Sequence, residues 1–200
     1  MVRKLAILLL LLVGGYVAWV VALNLPGGDD SRSVAPRQES ARAPRSSSPG
    51  PSGPIIIPVS GVRAEQLVDT FDDARGEGRV HDAIDIMAPR GAAVLAAAAG
   101  TVEKLFDSRL GGRTIYIRRV GGEWVDYYAH LDGYAPGLAE GQKVKPGQPI
   151  GTVGSTGDAS AEAPHLHYAI NAMAPGEAWY QGRAINPYPL LTGRKSYAAR

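Results

Sequence analysis

Cysteine is absent from this 200-residue chain. Neither a disulfide framework nor a thiolate metal site can form, so any bound metal must be held by nitrogen and oxygen ligands. A lipid anchor attached through cysteine is excluded for the same reason. At roughly 100 to 200 residues per domain, the length predicts one globular domain with extensions.

Acidic side chains outnumber basic ones in the central part of the chain. Residues 55–193 carry 12 basic and 16 acidic side chains, a net charge of −4, whereas residues 1–54 and 194–200 each carry a net charge of +3. The overall charge of +2 therefore comes from the ends, and residues 194–200 form a basic C-terminal tail. A folded domain of net negative charge argues against a nucleic-acid partner.

An uncharged apolar run occupies residues 5–23. As a helix its nineteen residues would measure about 28 Å, close to the hydrocarbon thickness of a bilayer. Two basic residues precede the run, and Asp29 and Asp30 follow it. The positive-inside rule then predicts a single-pass protein of the cytoplasmic membrane, with its N-terminus inside and its domain extracytoplasmic, in the periplasm.

A cleaved signal peptide is the competing interpretation of this run. Signal peptides have an apolar core of about 7 to 15 residues that ends at an Ala-x-Ala-like site. This core is longer, and residues 20–24 (VVALN) offer no small-residue pair at that spacing. An uncleaved signal anchor over residues 1–25 is favoured, and a buried soluble helix is disfavoured because the run is apolar on every face.

Residues 26–54 are rich in Pro, Ser, Gly and Arg. Such a composition cannot bury enough apolar surface to fold, so it predicts a disordered linker. A flexible linker of this length has a root-mean-square span on the order of 30 Å, and a polyproline-like one reaches about 90 Å. The linker is expected to let the domain act well above the membrane.

Short β-like runs separated by Gly and Pro dominate residues 55–193. Their close spacing favours antiparallel pairing, since parallel pairs need long crossovers. The predicted fold is mainly β, an antiparallel sheet or flattened barrel with one short helix at 63–71. The predicted strands are 55–59, 92–97, 101–106, 113–118, 124–130, 149–153 and 165–171.

Residues 141–151 resemble the turn-and-strand element of biotinyl/lipoyl half-barrels, with residues 94–102 as the expected partner. A carrier domain would need its lysine at a protruding hairpin tip. Lys143 and Lys145 instead precede a proline inside the turn. The half-barrel pairing is retained as a prediction, and the carrier function is disfavoured.

All four histidines lie between residues 81 and 167. His165 and His167 flank one leucine, so in a strand both side chains point to the same side. Paired imidazoles are costly when charged, and a divalent cation favours their neutral, lone-pair form. His81 and Asp85 lie four residues apart. Two imidazoles and a carboxylate leave the fourth position of zinc open for water, as in catalytic zinc sites.

His130 ends a predicted strand, where a lone histidine is more often a surface or packing residue. The three other histidines raise its prospects as a functional residue. Tyr128 shares its predicted face, so the Tyr128 hydroxyl is a candidate for substrate binding, with packing as the alternative. Asn171 lies on the predicted face of the histidine pair and is a second such candidate, with simple solvent exposure as the alternative.

Three motifs occur in order: HxxxD at residues 81–85, YAHL at 128–131 and HLH at 165–167. Together they resemble the lysostaphin-type (LytM-domain) zinc metallopeptidases. The GSTG turn at 154–157 and the Asn-Pro pair at 186–187 are similar to that family as well. The resemblance covers about residues 58–192, nearly the whole predicted domain.

The resemblance implies an antiparallel β fold that binds Zn²⁺ through His81, Asp85 and His167. It also implies that His130 and His165 form the catalytic pair. Enzymes of this family cut peptide bonds in the stems or cross-bridges of bacterial peptidoglycan, which would be the substrate and main partner. Partners among other cell-wall hydrolases or division proteins are not specified by these motifs.

Zinc in such a site polarises the scissile carbonyl and its water. One of His130 and His165 would accept the proton of that water, and the other would donate to the oxyanion; both assignments stay open. One departure from the family is Ala83, where glycine is common. Its added methyl group is expected to shift the loop that carries the first ligand. Residues 107–112 and 172–182 are the expected groove loops.

Two other functions compete with the peptidase. A catalytically silent LytM-domain regulator would activate other cell-wall hydrolases, but silent members lack ligands or catalytic histidines, and this chain retains all five side chains. Occlusion by the linker or by residues 174–181 would also silence the site. A non-haem iron oxygenase uses two histidines and a carboxylate too. It needs further groups for a cosubstrate, and an exported location disfavours it.

Overall fold

The computed structural model describes residues 55–193. The predicted signal anchor (1–25), linker (26–54) and basic tail (194–200) lie outside the described residues. Within residues 55–193, no helix is both long enough and apolar enough to cross a membrane. The predicted domain is therefore the part of the chain that can be compared with the sequence expectations.

Antiparallel strands make up most of this domain. The central path of the sheet runs β1-β8-β5-β4-β3-β6, with β9 also pairing with β8, and β7 pairing with both β2 and β5. Every strand pair is antiparallel, which confirms the predicted mainly β, antiparallel architecture. The strands are β1 (Ile84–Met87), β2 (Ala93–Leu95), β3 (Gly100–Ser108), β4 (Gly112–Arg119), β5 (Trp124–Tyr134), β6 (Lys143–Val144), β7 (Pro149–Val153), β8 (His165–Ala172) and β9 (Arg183–Ile185).

Strand β8 lies between β1 and β5 and presents its two sides to different surroundings. Leu166 and Tyr168 point into the core and are completely buried. Residues on alternate positions face the other side, so His165 and His167 project together away from the core. The predicted division of this strand into a core face and a histidine face is confirmed.

A fully buried ion pair joins β4 to β5. Arg119 donates from Nε and Nη2 to the two carboxylate oxygens of Asp126, at 2.8 and 2.6 Å. The Tyr168 hydroxyl donates to Asp126 Oδ1 at 2.7 Å. Burial acts against the charge of Arg119, but Asp126 outweighs it and raises the Arg119 pKa. The network ties three central strands together through one carboxylate.

The half-barrel prediction for residues 141–151 is confirmed, because β7 pairs with β2 and β6 pairs with β3. The helix expected at 63–71 was wrong. Only the 3-10 turn Ala64–Gln66 forms, and Leu67 is already extended, with φ −77° and ψ 141°. In this segment Leu67 and Phe71 are buried, and the Thr70 hydroxyl accepts a hydrogen bond from the backbone N–H of Asp85. The α-helix lies instead at Tyr188–Leu191.

The strand expected at 55–59 is reduced to an isolated bridge between Val59 and Val94. Pro58 has no N–H to donate to a ladder, which accounts for the interruption. Three short strands were not predicted, namely β1, β6 and β9. They have four, two and three residues, too few to show a clear alternation.

Replacing Asp126 with asparagine should destabilise the domain by about 3–5 kcal/mol, because it leaves the Arg119 charge buried and unpaired. Urea unfolding followed by tryptophan fluorescence measures the change. The control is Glu140→Gln, which removes an ion pair with Lys104 on exposed side chains and should leave the unfolding curve almost unchanged. Equal unfolding midpoints for Asp126→Asn and wild type would contradict the structural role of the pair.

Candidate metal centre

Three side chains from β1, β8 and the segment before β1 converge on one point. Asp85 lies directly opposite His167 in the β1–β8 register. His81 Nε2 lies 2.9 Å from Asp85 Oδ1 and 2.9 Å from His167 Nδ1. His167 Nδ1 lies 3.3 Å from the same carboxylate oxygen. The three predicted ligands are therefore brought together as one potential metal-binding group.

Thr70 orients two of these ligands. Its main-chain carbonyl oxygen lies 2.8 Å from His81 Nδ1, so that nitrogen donates and Nε2 keeps a lone pair for a metal. Its hydroxyl oxygen accepts a hydrogen bond of 3.1 Å from the backbone N–H of Asp85. Sequence reasoning missed Thr70, because nothing in the local pattern links it to side chains 11 and 15 residues away.

The donor set fits a divalent cation. Asp85 Oδ1 is buried and has no hydrogen-bond partner among the described residues, although His81 Nε2 and His167 Nδ1 lie 2.9 and 3.3 Å from it. Burial alone raises the pKa of Asp85, but contacts with His167, His81 and Arg75 hold that pKa well below its usual range. Burial lowers the pKa of His167. An ionised Asp85 and a neutral His167 are the protonation states that metal binding requires, and an N,N,O set suits zinc.

His130 and His165 lie beside the ligand group, with ring centroids 5.0 Å apart. Each donates from Nδ1 to a main-chain carbonyl oxygen at 2.8 Å, that of Thr156 for His130 and that of Ala163 for His165. Both Nε2 atoms are left free, and His165 Nε2 lies 3.6 Å from Asp85 Oδ1. Burial also lowers the His130 pKa, which favours its neutral form.

A bulge in β5 turns His130 toward the pocket. Tyr128 pairs with Ile115 and Leu131 with Arg113, so β5 has one more residue than β4 between these pairs. His130 occupies the left-handed region with φ 61°. Strict alternation would have sent its ring into the core after Tyr128. The strained backbone instead places it in the pocket.

Two glycine-containing turns hold this bulge. The His130 backbone N–H donates to Gly111 O at 2.8 Å, and the Asp158 N–H donates to Leu110 O at 2.9 Å. A Cβ at Gly112 would collide with Thr156, and one at Gly157 would collide with Leu110 O. Both glycines also have positive φ. The close backbone contact explains the GSTG turn noted in the sequence, because it carries the carbonyl that orients His130.

Tyr128 is not a residue of the pocket. Its side chain is completely buried, and its hydroxyl accepts a hydrogen bond of 2.9 Å from Ala97 N–H. Alternation along β5 places the neighbouring Tyr127 on the pocket side instead, where its ring lies 5.8 Å from that of His167. Asn171 does lie on the histidine face and lines a second pocket beside His167.

Arg75 is a further residue of the site that the sequence did not indicate. Its Nη2 donates to Asp85 Oδ2 at 2.5 Å, so the carboxylate oxygen not facing His81 is held by a guanidinium. The Arg75 side chain is 40% exposed and lines the same pocket of about 500 Å³ as the five predicted residues. Ala83 is completely buried, and its methyl group does not prevent the ligands from converging.

Fold and site together define a metal-binding centre on an antiparallel β domain, with two spare histidines beside three ligands. The chain belongs to peptidase family M23, whose model matches residues 79–187. The match contains all five of these residues. It also confirms the lysostaphin/LytM-type resemblance read from the motifs.

Individual relatives agree with this family. The chain is 39% identical over 135 residues to an L-Ala–D-Glu endopeptidase of Bacillus subtilis, covering 64% of this chain and 40% of that protein. It is 30% identical over 158 residues to the murein hydrolase activator NlpD of Salmonella dublin, covering 78% and 37%. The chain thus spans less than half the length of these curated relatives. The lytM structure of Ruminococcus gnavus matches with a TM-score of 0.55 and 30% identity, covering 71% of this chain and 59% of that one.

The full chain is expected to bind one zinc ion per molecule through the three converging side chains. Removal of His81 or Asp85 by alanine substitution should abolish stoichiometric binding, because two ligands remain. Titration calorimetry and bound-metal analysis of the purified protein measure this. His130→Ala is the matched histidine control and should retain one equivalent of zinc; loss of zinc in that variant as well would contradict the assignment of ligands.

Proposed function

We propose that the chain is a membrane-tethered zinc metallo-endopeptidase that hydrolyses stem peptides or cross-links of bacterial peptidoglycan. The observation that carries the proposal is the pair His130 and His165. Both rings present a free Nε2 beside the His81, Asp85, His167 group, so the site holds proton-transfer groups as well as ligands. A purely structural metal site has no use for two additional oriented imidazoles.

Zinc in this site would supply a Lewis acid for the scissile carbonyl and lower the pKa of a bound water. The free Nε2 of His165, which lies 3.6 Å from Asp85 Oδ1, would be suited to accept a proton as general base. His130 lies across the pocket and, once protonated, can donate a hydrogen bond to the developing oxyanion. Both rings are oriented by main-chain carbonyls. His165 is assigned as the base because its Nε2 lies 3.6 Å from Asp85 Oδ1.

The relatives support two readings of this family member. One is named as an L-Ala–D-Glu endopeptidase and another as a peptidoglycan DD-endopeptidase, whereas NlpD is named as a murein hydrolase activator. The enzyme is favoured because all five required side chains are present and converge in one open pocket. Residues 174–181, which the sequence offered as an occluding segment, do not line that pocket. A silent regulator is the second candidate function.

Activity should depend on both spare histidines. The zinc-loaded full chain is incubated with purified peptidoglycan, and the released fragments are identified by mass spectrometry. His165→Ala and His130→Ala should each lower the rate by about 10²–10⁴-fold, the usual contribution of a general acid or base, while retaining zinc. Val120→Ala, at a residue 79% exposed and outside the pocket, serves as control.

Two outcomes count against this assignment. If wild type and both histidine variants release nothing, the activator reading replaces the enzyme. If His165→Ala releases fragments as fast as wild type, hydrolysis occurs without the proposed base. Stoichiometric iron in place of zinc in the purified protein would favour the hypothesis of a non-haem iron oxygenase.

The proposed cellular location of the protein is based on residues 5–23. The length of this run and its flanking charges favour a single membrane span with the domain on the periplasmic side. Cell fractionation tests this proposal. The full chain should sediment with membranes, and a chain without residues 1–25 should appear in the soluble fraction because the anchor is gone. A full chain recovered entirely in the soluble fraction would contradict the anchor and indicate cleavage.

A further inference from the structure

Four aromatic side chains line a second pocket that opens next to the metal centre. We call this pocket the aromatic basin; it has a volume of about 350 Å³ and shares His81 and His167 with the metal centre. The Tyr116 ring lies 4.6 Å from those of both Tyr127 and Trp179, and Trp179 lies 5.1 Å from Tyr180. The four aromatic residues of the basin are Tyr116, Tyr127, Trp179 and Tyr180.

The basin is assembled from separate parts of the fold. Tyr116 belongs to β4 and Tyr127 to β5, whereas Trp179 and Tyr180 come from the β8–β9 loop. Gly182 ends that loop with φ 97°, and a Cβ there would collide with Met173 Sδ. Tyr180 remains 67% exposed. Tyr116, Tyr127 and Trp179 are half-buried, so each ring keeps part of its surface open to the pocket. A concave cluster of aromatic rings with a few polar groups is typical of a ligand-binding site.

The aromatic basin differs in charge from the pocket of about 500 Å³ that contains the five predicted site residues. No lysine or arginine among the described residues lines the basin, whose polar lining includes Asn171, Gln181 and Asp82. The lining of the larger pocket includes Arg79 and Asp158 as well as Arg75, which is paired with Asp85. A substrate that spans both would therefore meet cations at one end and aromatic faces with neutral amides at the other.

We propose that the basin binds a neutral N-acetylated sugar ring, the saccharide unit that carries the stem peptide. This inference rests on the proposed function. A pyranose ring presents C–H faces that pack on aromatic faces, and its hydroxyl and acetamide groups pair with amides and a carboxylate without needing a cation. The carboxylates of the stem peptide then point toward Arg79, where charge-assisted hydrogen bonds are available.

The test compares two substrates that differ only in sugar. One is a cross-linked muropeptide with its disaccharides, and the other is the same peptide after an amidase has removed them. With the zinc-loaded full chain, Trp179→Ala and Tyr180→Ala should each lower kcat/KM on the sugar-bearing substrate by about tenfold, the loss expected for an aromatic anchor. Both should stay within about twofold of wild type on the sugar-free peptide.

Arg79→Ala is the contrasting variant and should impair both substrates to the same extent, because both contain the acidic peptide. Val120→Ala is the control for a remote surface change. Thermal unfolding midpoints show that each variant is folded, and the two aromatic variants must agree. Equal losses on both substrates would assign the basin to peptide, and no loss on either would leave it without a ligand; either result overturns the proposal.

Failure of the proposed function is recognised separately. If wild type cuts neither substrate, binding is measured by calorimetry with the free disaccharide as probe. If wild type binds the disaccharide and Tyr180→Ala does not, the sugar-binding proposal stands even though the chain is not a peptidase. A chain that does not bind the disaccharide refutes the sugar site as well.

Discussion

The register of β8 against its two neighbours is the constraint on which the site depends. Asp85 of β1 and Ala129 of β5 both lie opposite His167. Sliding β8 by one residue would exchange the histidine face for Leu166 and Tyr168, so the register that buries the core is the one that aligns the ligands. Core packing and metal binding are thus enforced by the same hydrogen-bond ladder.

The proposed metal binding and the proposed catalysis both depend on the orientation of an imidazole by a main-chain carbonyl. The main-chain carbonyl oxygens of Thr70, Thr156 and Ala163 each accept a hydrogen bond from a histidine Nδ1 and leave Nε2 free. Such outer contacts fix ring orientation and raise the basicity of the free nitrogen. Because the carbonyls belong to the backbone, this orientation does not require particular side chains, and it is invisible to motif analysis.

The groove around the site divides into two chemically different ends. Arg75 and Arg79 line the pocket that contains all five histidine and aspartate side chains of the site, and Trp179 and Tyr180 line the second pocket, which shares His81 and His167 with the first. Peptidoglycan has the same two-part chemistry, an acidic peptide joined to a neutral sugar. The two connecting loops expected to form the groove, residues 107–112 and 172–182, do contribute to these two pockets.

The sequence by itself determined the antiparallel β class, most of the long strands and all five residues that converge. It did so because alternation along β8 and the spacing of the motifs are local properties of the chain. Tertiary structure alone decided that Tyr127 rather than Tyr128 faces the pocket, that Thr70 and Arg75 support Asp85, and that the chain leaves its first 3-10 turn in an extended conformation at Leu67. The physical reason is that a one-residue bulge at His130 reverses the side-chain alternation, and contacts between distant segments form only when the sheet closes.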